Sequence, residues 1–313
     1  MEAVHAAVLF AGISDLASGT FKVSMGRATV RGRKPMTARH APASLERLRN
    51  DRALMEALAD LASAAAAVVV NRFGKCAPEF KGDGSPVTIA DREAEELILA
   101  GLARLLPGVP VISEEAASAG VLADAGDDFL LVDALDGTKE FVAGTDQFTV
   151  NIGMIHCGKP VGGVVHAPAL GRLWLAGRRA ETCTLAPGAP IRAASGRREI
   201  AVRTPPRDGL VAVASLRHMT PETEGYLARL TIAERRAAGS SLKFCLVAEG
   251  QADIYPRFSP TMEWDTAAGD AVLRAAGGLV VTADGQPLLY GKSGAEYHNP
   301  GFIAAGTRRS LAG

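Results

Sequence analysis

The apolar and polar positions of this chain change period several times, and the changes mark its elements. Residues 1–43 show no period. They are rich in Ser, Thr, Gly and Arg, which predicts a flexible arm. An over-long start, with Met36 and Met55 as later starts, and a targeting segment are the other readings. A helical period then runs from a Ser44 cap to about Arg72 and breaks at Gly74. Residues 81–87 (KGDGSPV) form a turn-rich loop. Thr88 and Asp91 make a T-x-x-D helix start, and that helix reaches about Leu106. A short strand ends at Ser113-Glu114-Glu115, and the apolar run 129–132 reads as a buried strand ending at Asp133. Residues 148–156, 161–166 and 173–176 continue as a strand meander.

Beyond about Gly177 the pattern predicts a second half. Strands are expected at 210–214, 252–257 and 279–282, and helices at 221–230, 242–249 and 265–276. Helices and strands mix without a strict βαβ rhythm, which makes the fold class α+β with layered sheets and helices. The domain reading is an arm (1–43), a first α+β half (44–180) and a second half (181–313).

Composition narrows the function classes. With 313 residues, 48% hydrophobic and 22% charged, the chain can bury a sizeable core as one large or two medium domains. Its formal net charge is zero, which gives no case for nucleic-acid binding. Charge is uneven, since residues 22–39 hold six bases and no acid. Cys76, Cys157, Cys183 and Cys245 form no C-x-x-C pair, which argues against a zinc site or a disulfide framework and favours a reduced, cytosolic setting. No apolar run reaches the roughly 18 residues of a membrane span, so the expectation is a cytoplasmic protein without a transmembrane segment, at most peripheral at the inner membrane. A monomer and a homodimer fit equally.

The candidate chemistry begins at LVDALDGTKEF (131–141). Asp133 and Asp136 either cap a turn or share a cation, because carboxylates this close repel each other otherwise. Oxygen-only ligands suit Mg²⁺. The backbone from Gly137 and Thr138 onward could meet an anion at a helix start. Glu114 and Glu115 read as a solvated acidic turn, or as one metal ligand beside one residue holding a water. On extended backbone the two would point apart. Asp265, in Trp264-Asp265-Thr266 before the small-residue helix AAGDAVLRAAGG, is an N-cap or a metal ligand at the helix tip. Asp91 is ordinary in a first helical turn.

Together these stretches resemble the Mg²⁺-dependent, lithium-sensitive phosphatases of the inositol monophosphatase superfamily. Its pattern is Glu-Glu at a strand end, then D-P-[LI]-D-G-T, then W-D before a small-residue helix. Here they read Glu114-Glu115, Asp133-Ala134-Leu135-Asp136-Gly137-Thr138 and Trp264-Asp265, over roughly residues 50 to 305. Ala134 in place of Pro is the one departure in the central motif, and it removes no ligand. SPVTIAD (85–91), LDGTKEF (135–141), GSSLKFCLVAEGQADIYPRF (239–258) and WDTAAG (264–269) are most similar to the CysQ-type 3′(2′),5′-bisphosphate nucleotidases.

The resemblance implies a layered α-β-α-β-α sugar-phosphatase fold, a place in sulfur metabolism, and hydrolysis of the 3′-phosphate of adenosine 3′,5′-bisphosphate. It further implies that Glu114, Asp133, Asp136, Asp265 and the Leu135 carbonyl bind two or more Mg²⁺. Asp91 and Thr138 would orient the attacking water, with Glu115 assisting. Such a clamp holds ions roughly 3.5–4 Å apart. The nucleotide bisphosphate would meet Glu114, Leu135, Asp136, Gly137, Thr138 and Asp265 at its reacting end, and His218, Ser240, Lys243 and Arg257 at its second phosphate. An inositol-phosphate or fructose-bisphosphate phosphatase on the same scaffold is the alternative, and a catalytically silent nucleotide-binding protein is a further one.

Overall fold

Alternation along the strands sorts apolar side chains onto two faces of one sheet, and the helices cover both. The computed structural model describes residues 44–311 except 83 and 216–218. The arm at 1–43 and His218 therefore lie outside the described residues. The larger sheet has seven strands in simple chain order: Val111–Ser113, Asp128–Asp136, Thr149–His156, Lys159–Ala167, Arg172–Ala176, Ala180–Thr184 and Ser195–Ile200. The first two strands are parallel and the rest antiparallel. Leu130, Val132 and Ile152 join one core with the helices Arg52–Arg72 and Ile89–Leu105. Phe129, Leu131 and Val165 join another with Leu242–Ala248 and Ala267–Ala275. Neighbours in sequence thus serve opposite cores, as a period of two requires.

The second sheet has five strands, in the order Ile232–Ala237, Leu210–Ala214, Ile254–Arg257, Phe302–Ala305 and Leu279–Thr282. Its outer face packs with Leu227 of the helix Pro221–Leu227. The order is helices, sheet, helices, sheet, helix, which is the five-layer arrangement that the resemblance implied. The central helix layer is thin because glycines let it approach. A Cβ on Gly153 would lie 2.7 Å from the Ala267 Cβ, and one on Gly269 would lie 2.6 Å from the Phe244 ring.

Several elements differ from the sequence expectation. The first helix is two, Leu45–Leu48 and Arg52–Arg72. Ser44 makes no side-chain cap bond, whereas Asp51 accepts from the N–H groups of Ala53 and Leu54 at 3.0 and 3.2 Å and starts the second helix afresh. That second helix is, among the described residues, the one long and apolar enough by length and composition to cross a membrane; half of its apolar window is buried in the fold, and a core helix passes the same test of length and composition. Ala180–Thr184 and Ser195–Ile200, beyond the halfway point suggested by composition, are strands of the first sheet. Phe302–Ala305, which has only four residues, went unpredicted although it pairs with both neighbours inside the second sheet.

Candidate active site

The strand at the centre of the site does not stop at Asp133. It continues to Asp136, with a register irregularity between the two: Asp133 pairs with Asn151 and Asp136 with Thr149. Residues three apart in a regular strand face opposite sides. The extra residue of this bulge turns both carboxylates toward one pocket. Gly137 then turns the chain at φ +94°, where a side chain is strained, and a Cβ would meet the Gln147 carbonyl at 3.1 Å. The short helix Thr138–Val142 follows.

Glu114 and Glu115 do not end a strand on extended backbone. They form the first turn of the helix Glu114–Ser118, so they do not diverge as expected. Buried Glu95 seats this turn, accepting from the Glu115 and Ala116 N–H groups at 3.0 Å each and from the Ser113 hydroxyl at 2.8 Å. Asp265 precedes the helix Ala267–Ala275 without capping it. It accepts the Met262 N–H at 2.9 Å instead, which leaves its carboxylate facing the pocket.

One carboxylate oxygen each of Glu114, Asp133 and Asp265 lies within 4.8 Å of the others. Burial is the main force pushing all three carboxyls up, and repulsion from neighbouring acids adds to it: Glu115 and Asp91 for Glu114, and Glu114 and Asp136 for both aspartates. Asp133 and Asp265 rise well above the usual range, and Glu114 to about 7, with Lys81 opposing the rise. An all-oxygen donor set with mutual repulsion is the chemistry a hard divalent cation relieves, so these residues fit one. Asp136 and Leu135 line the same pocket of about 240 Å³. Asp136 accepts the Ser241 N–H at 2.6 Å, and its carboxyl is raised by burial with Lys243 opposing.

Asp91 is buried behind the pocket. Its Oδ2 accepts from the Thr88 N–H and hydroxyl, both at 2.7 Å, which completes the capping box, and its Oδ1 accepts the Thr138 hydroxyl at 3.0 Å. Thr138 also reaches the Leu135 carbonyl at 3.2 Å. An acid-and-hydroxyl pair thus sits beside the carboxylate cluster, joined through the Leu135–Thr138 turn.

The second half closes the pocket. Ser240 takes φ +52°, and its hydroxyl contacts that of Thr149. Lys243 is fully buried. Its Nζ donates to the carbonyls of Ser240 at 2.6 Å and Ala238 at 3.3 Å and lies 5.2 Å from the Tyr255 ring centroid. Burial lowers it to about 8 against the pull of Asp136. Arg257 donates to the Ser259 and Pro260 carbonyls at 3.4 and 3.1 Å. Glu114, Asp133, Leu135, Asp136, Gly137, Thr138, Ser240, Lys243, Arg257 and Asp265 all line this one pocket. Asp91 and Glu115 stand just outside the lining.

Three residues escaped the sequence reading. Lys81 donates to Glu114 and Glu115 at 2.7 Å each, a cation held among the acids. No spacing in KGDGSPV singles it out. Glu95 was legible: it lies four residues after Asp91 on the same helix face, and like charges so placed repel unless something holds them. Glu263, fully buried, accepts the Gly291 and Lys292 N–H groups at 2.7 and 2.9 Å and pairs with Lys292 Nζ at 2.6 Å. It anchors the segment carrying Asp265 to the chain near residue 291.

Comparison with known proteins fits this geometry. The model of the inositol monophosphatase family matches residues 50–312. The 3′(2′),5′-bisphosphate nucleotidase CysQ of Escherichia coli (strain K12) is 45% identical over 225 residues, covering 71% of this chain and 86% of the relative. The crystal structure of CysQ from Bacteroides thetaiotaomicron superposes with a TM-score of 0.71 at 38% identity, covering 83% of this chain and 99% of that one. The Thermotoga maritima IMPase, at 23% identity and a TM-score of 0.64, shares the fold, covering 84% of this chain and 92% of its own.

Proposed function

The chain belongs to the inositol monophosphatase family, and we propose that within it the protein is a 3′(2′),5′-bisphosphate nucleotidase. It hydrolyses the 3′-phosphate of adenosine 3′,5′-bisphosphate to AMP and phosphate. The observation that carries this reading is the pairing, in one pocket, of a carboxylate cluster with two cationic side chains from the second half, Lys243 and Arg257. The E. coli nucleotidase, which the chain matches over most of its length, supports the substrate class.

Mg²⁺ is the cation we assign, held by Glu114, Asp133, Asp136, Asp265 and the Leu135 carbonyl. Bound there, it supplies neutralisation of phosphoryl charge and acidifies water. The chain's own groups do the positioning. Asp91 accepts from the Thr138 hydroxyl, which leaves that oxygen able to accept a hydrogen bond from the attacking water; as the water gives up its proton to Thr138, the hydroxyl passes its own to the Asp91 carboxylate, while Glu115 holds the water's approach. Lys243 donates two of its three N–H groups to carbonyls, so one remains for a phosphate oxygen. Arg257, on the same strand as Tyr255, offers its fork to the non-reacting phosphate. Residues 44–180 supply most of the metal ligands in this proposal, and residues 181–313 supply the second-phosphate contacts, with Asp265 crossing over.

The test is phosphate release with Mg²⁺ from adenosine 3′,5′-bisphosphate and inositol 1-phosphate, side by side. Faster turnover of the bisphosphate is expected. Preference for inositol 1-phosphate would move the protein to the inositol-phosphate branch of its family.

A further inference from the structure

Away from the pocket just described, the junction between the helices Leu45–Leu48 and Arg52–Arg72 meets the turn after Ala176. Gly177 makes the approach possible, since a Cβ there would lie 2.7 Å from the Arg49 carbonyl. The two segments enclose a groove of about 300 Å³ that shares no lining residue with the metal pocket. Arg49, Arg52, Arg178, Arg179 and Arg197 line it, with Glu181 as the one acid.

Surrounding carboxylates neutralise most of this charge. Arg49 pairs with Glu46 at 2.8 Å, Arg52 with Glu56 at 3.0 Å, and Arg179 with Glu199 at 2.6 Å. Arg197 bridges Glu56 and Glu181 at 2.8 and 2.5 Å. Five guanidinium groups thus face four carboxylates. Among the described residues none forms an ion pair with Arg178, which is exposed. Arg49 Nε is buried without any hydrogen-bond partner. A buried donor left unsatisfied is costly, and an anionic oxygen in the groove relieves it once the Arg49 side chain turns toward it. Met55 and Leu175, both nearly fully buried, give the groove an apolar floor.

We infer that this groove is a second anion site, for a small phosphate ester or phosphonate. Its phosphoryl oxygens take the N–H groups of Arg49 and Arg178, and its organic body lies on Met55 and Leu175. The guanidinium fork matches a tetrahedral oxyanion better than a point charge would. The floor separates this class from inorganic phosphate, because apolar contact adds affinity only for a ligand with an organic body.

Phenylphosphonate, which a phosphatase cannot hydrolyse, is titrated calorimetrically into full-length protein in EDTA, so that no metal ion draws the anion into the other pocket. One-to-one binding is expected for the wild type and for Arg257→Ala alike. Arg178→Glu should weaken it by about tenfold or more, the scale of one lost charge-assisted hydrogen bond. Arg178 is exposed, so that variant keeps its fold, and unaltered turnover of the bisphosphate checks this. Arg49→Met should weaken binding as well, and inorganic phosphate should bind less tightly than the phosphonate. Absence of binding at millimolar phenylphosphonate would overturn the inference. So would binding that survives Arg178→Glu but is lost in Arg257→Ala, since it would then belong to the metal pocket. Equal affinity for inorganic phosphate would overturn the ester class.

Discussion

Asp133→Asn should make the metal-free protein more stable while removing its activity. Asp133 is 2% exposed, and oxygens of Glu114 and Asp265 lie within 4.8 Å of its own. Two unit charges at that separation repel by about 3 kcal/mol at an effective dielectric of 20. The wild type avoids part of this by holding protons, as its raised carboxyls show, so the net gain on neutralising Asp133 is smaller, about 1–3 kcal/mol. The amide oxygen of Asn can still accept the Leu135 N–H that Asp133 accepts at 2.9 Å, so the turn keeps its bond. Thermal melts in EDTA and in Mg²⁺ read the effect directly. Wild type should melt higher with Mg²⁺, by mass action of a bound ligand. The variant should start higher in EDTA and gain little. Its turnover should fall by about a thousandfold, the scale of losing one preorganised electrostatic contact to the transition state. A variant with near-normal turnover, or one that melts lower than wild type in EDTA, would refute the reasoning.

Three other outcomes follow from the same geometry. Burial raises Glu114 from 4.5 to about 7, so the folded metal-free protein binds a proton that the unfolded chain releases. Stability contributed by that proton is present at low pH and lost between about pH 4.5 and 7. His166, lowered by burial to about 4, acts oppositely from about pH 4 to 6.5, so the comparison is with Glu114→Gln, whose stability should lose this fall; identical pH slopes would remove Glu114 from the cluster. Lys81→Met should tighten Mg²⁺ binding in calorimetry, because the ammonium 2.7 Å from Glu114 and Glu115 no longer competes for them; weaker binding would make Lys81 part of the cation site's support. Arg257→Ala and Lys243→Ala should each cost roughly ten- to a hundredfold in kcat/KM on a bisphosphate and little on a monophosphate, and an equal loss on both substrates would take them out of the second-phosphate site.

The carboxylate cluster was largely legible in the sequence because its residues come as short motifs at element ends. Asp133, Asp136, Gly137 and Thr138 lie within six consecutive positions, and Trp264-Asp265 announces itself before a run of small residues. What was not legible depends on backbone detail. Asp133 and Asp136 share a pocket through a one-residue bulge, and a bulge leaves no trace in an alternating pattern. The adjacent glutamates were read on a strand because the apolar run before them is strand-like, and the turn that makes them helical is held by Glu95, twenty positions earlier. Lys81 lies in a loop whose Gly and Pro signal a turn but not its direction. Short strands such as Phe302–Ala305 are set by their neighbours in the sheet, and four residues carry too little period to report it.

The layering explains why the charge is tolerated where it is. The pocket opens where the ends of both sheets and both central helices meet: Asp133 and Asp136 from the first sheet, Asp265 before one helix, Lys243 on the other, and Arg257 on the second sheet. Three of the acids are each tied to a backbone N–H group. Asp136 takes the Ser241 N–H, Asp265 the Met262 N–H, and Asp133 the Leu135 N–H. These bonds fix orientation, but they do not cancel three carboxyls within 4.8 Å of one another. Without a divalent cation, Lys81 and bound protons do part of that work. Lys81 approaches from just beyond the short strand Glu79–Phe80, whereas the acids stand on sheet and helix ends, so the groups that must leave when a cation enters are the mobile proton and a single side chain. The carboxylates themselves need not move, so the cluster offers a cation oxygens that are already in place.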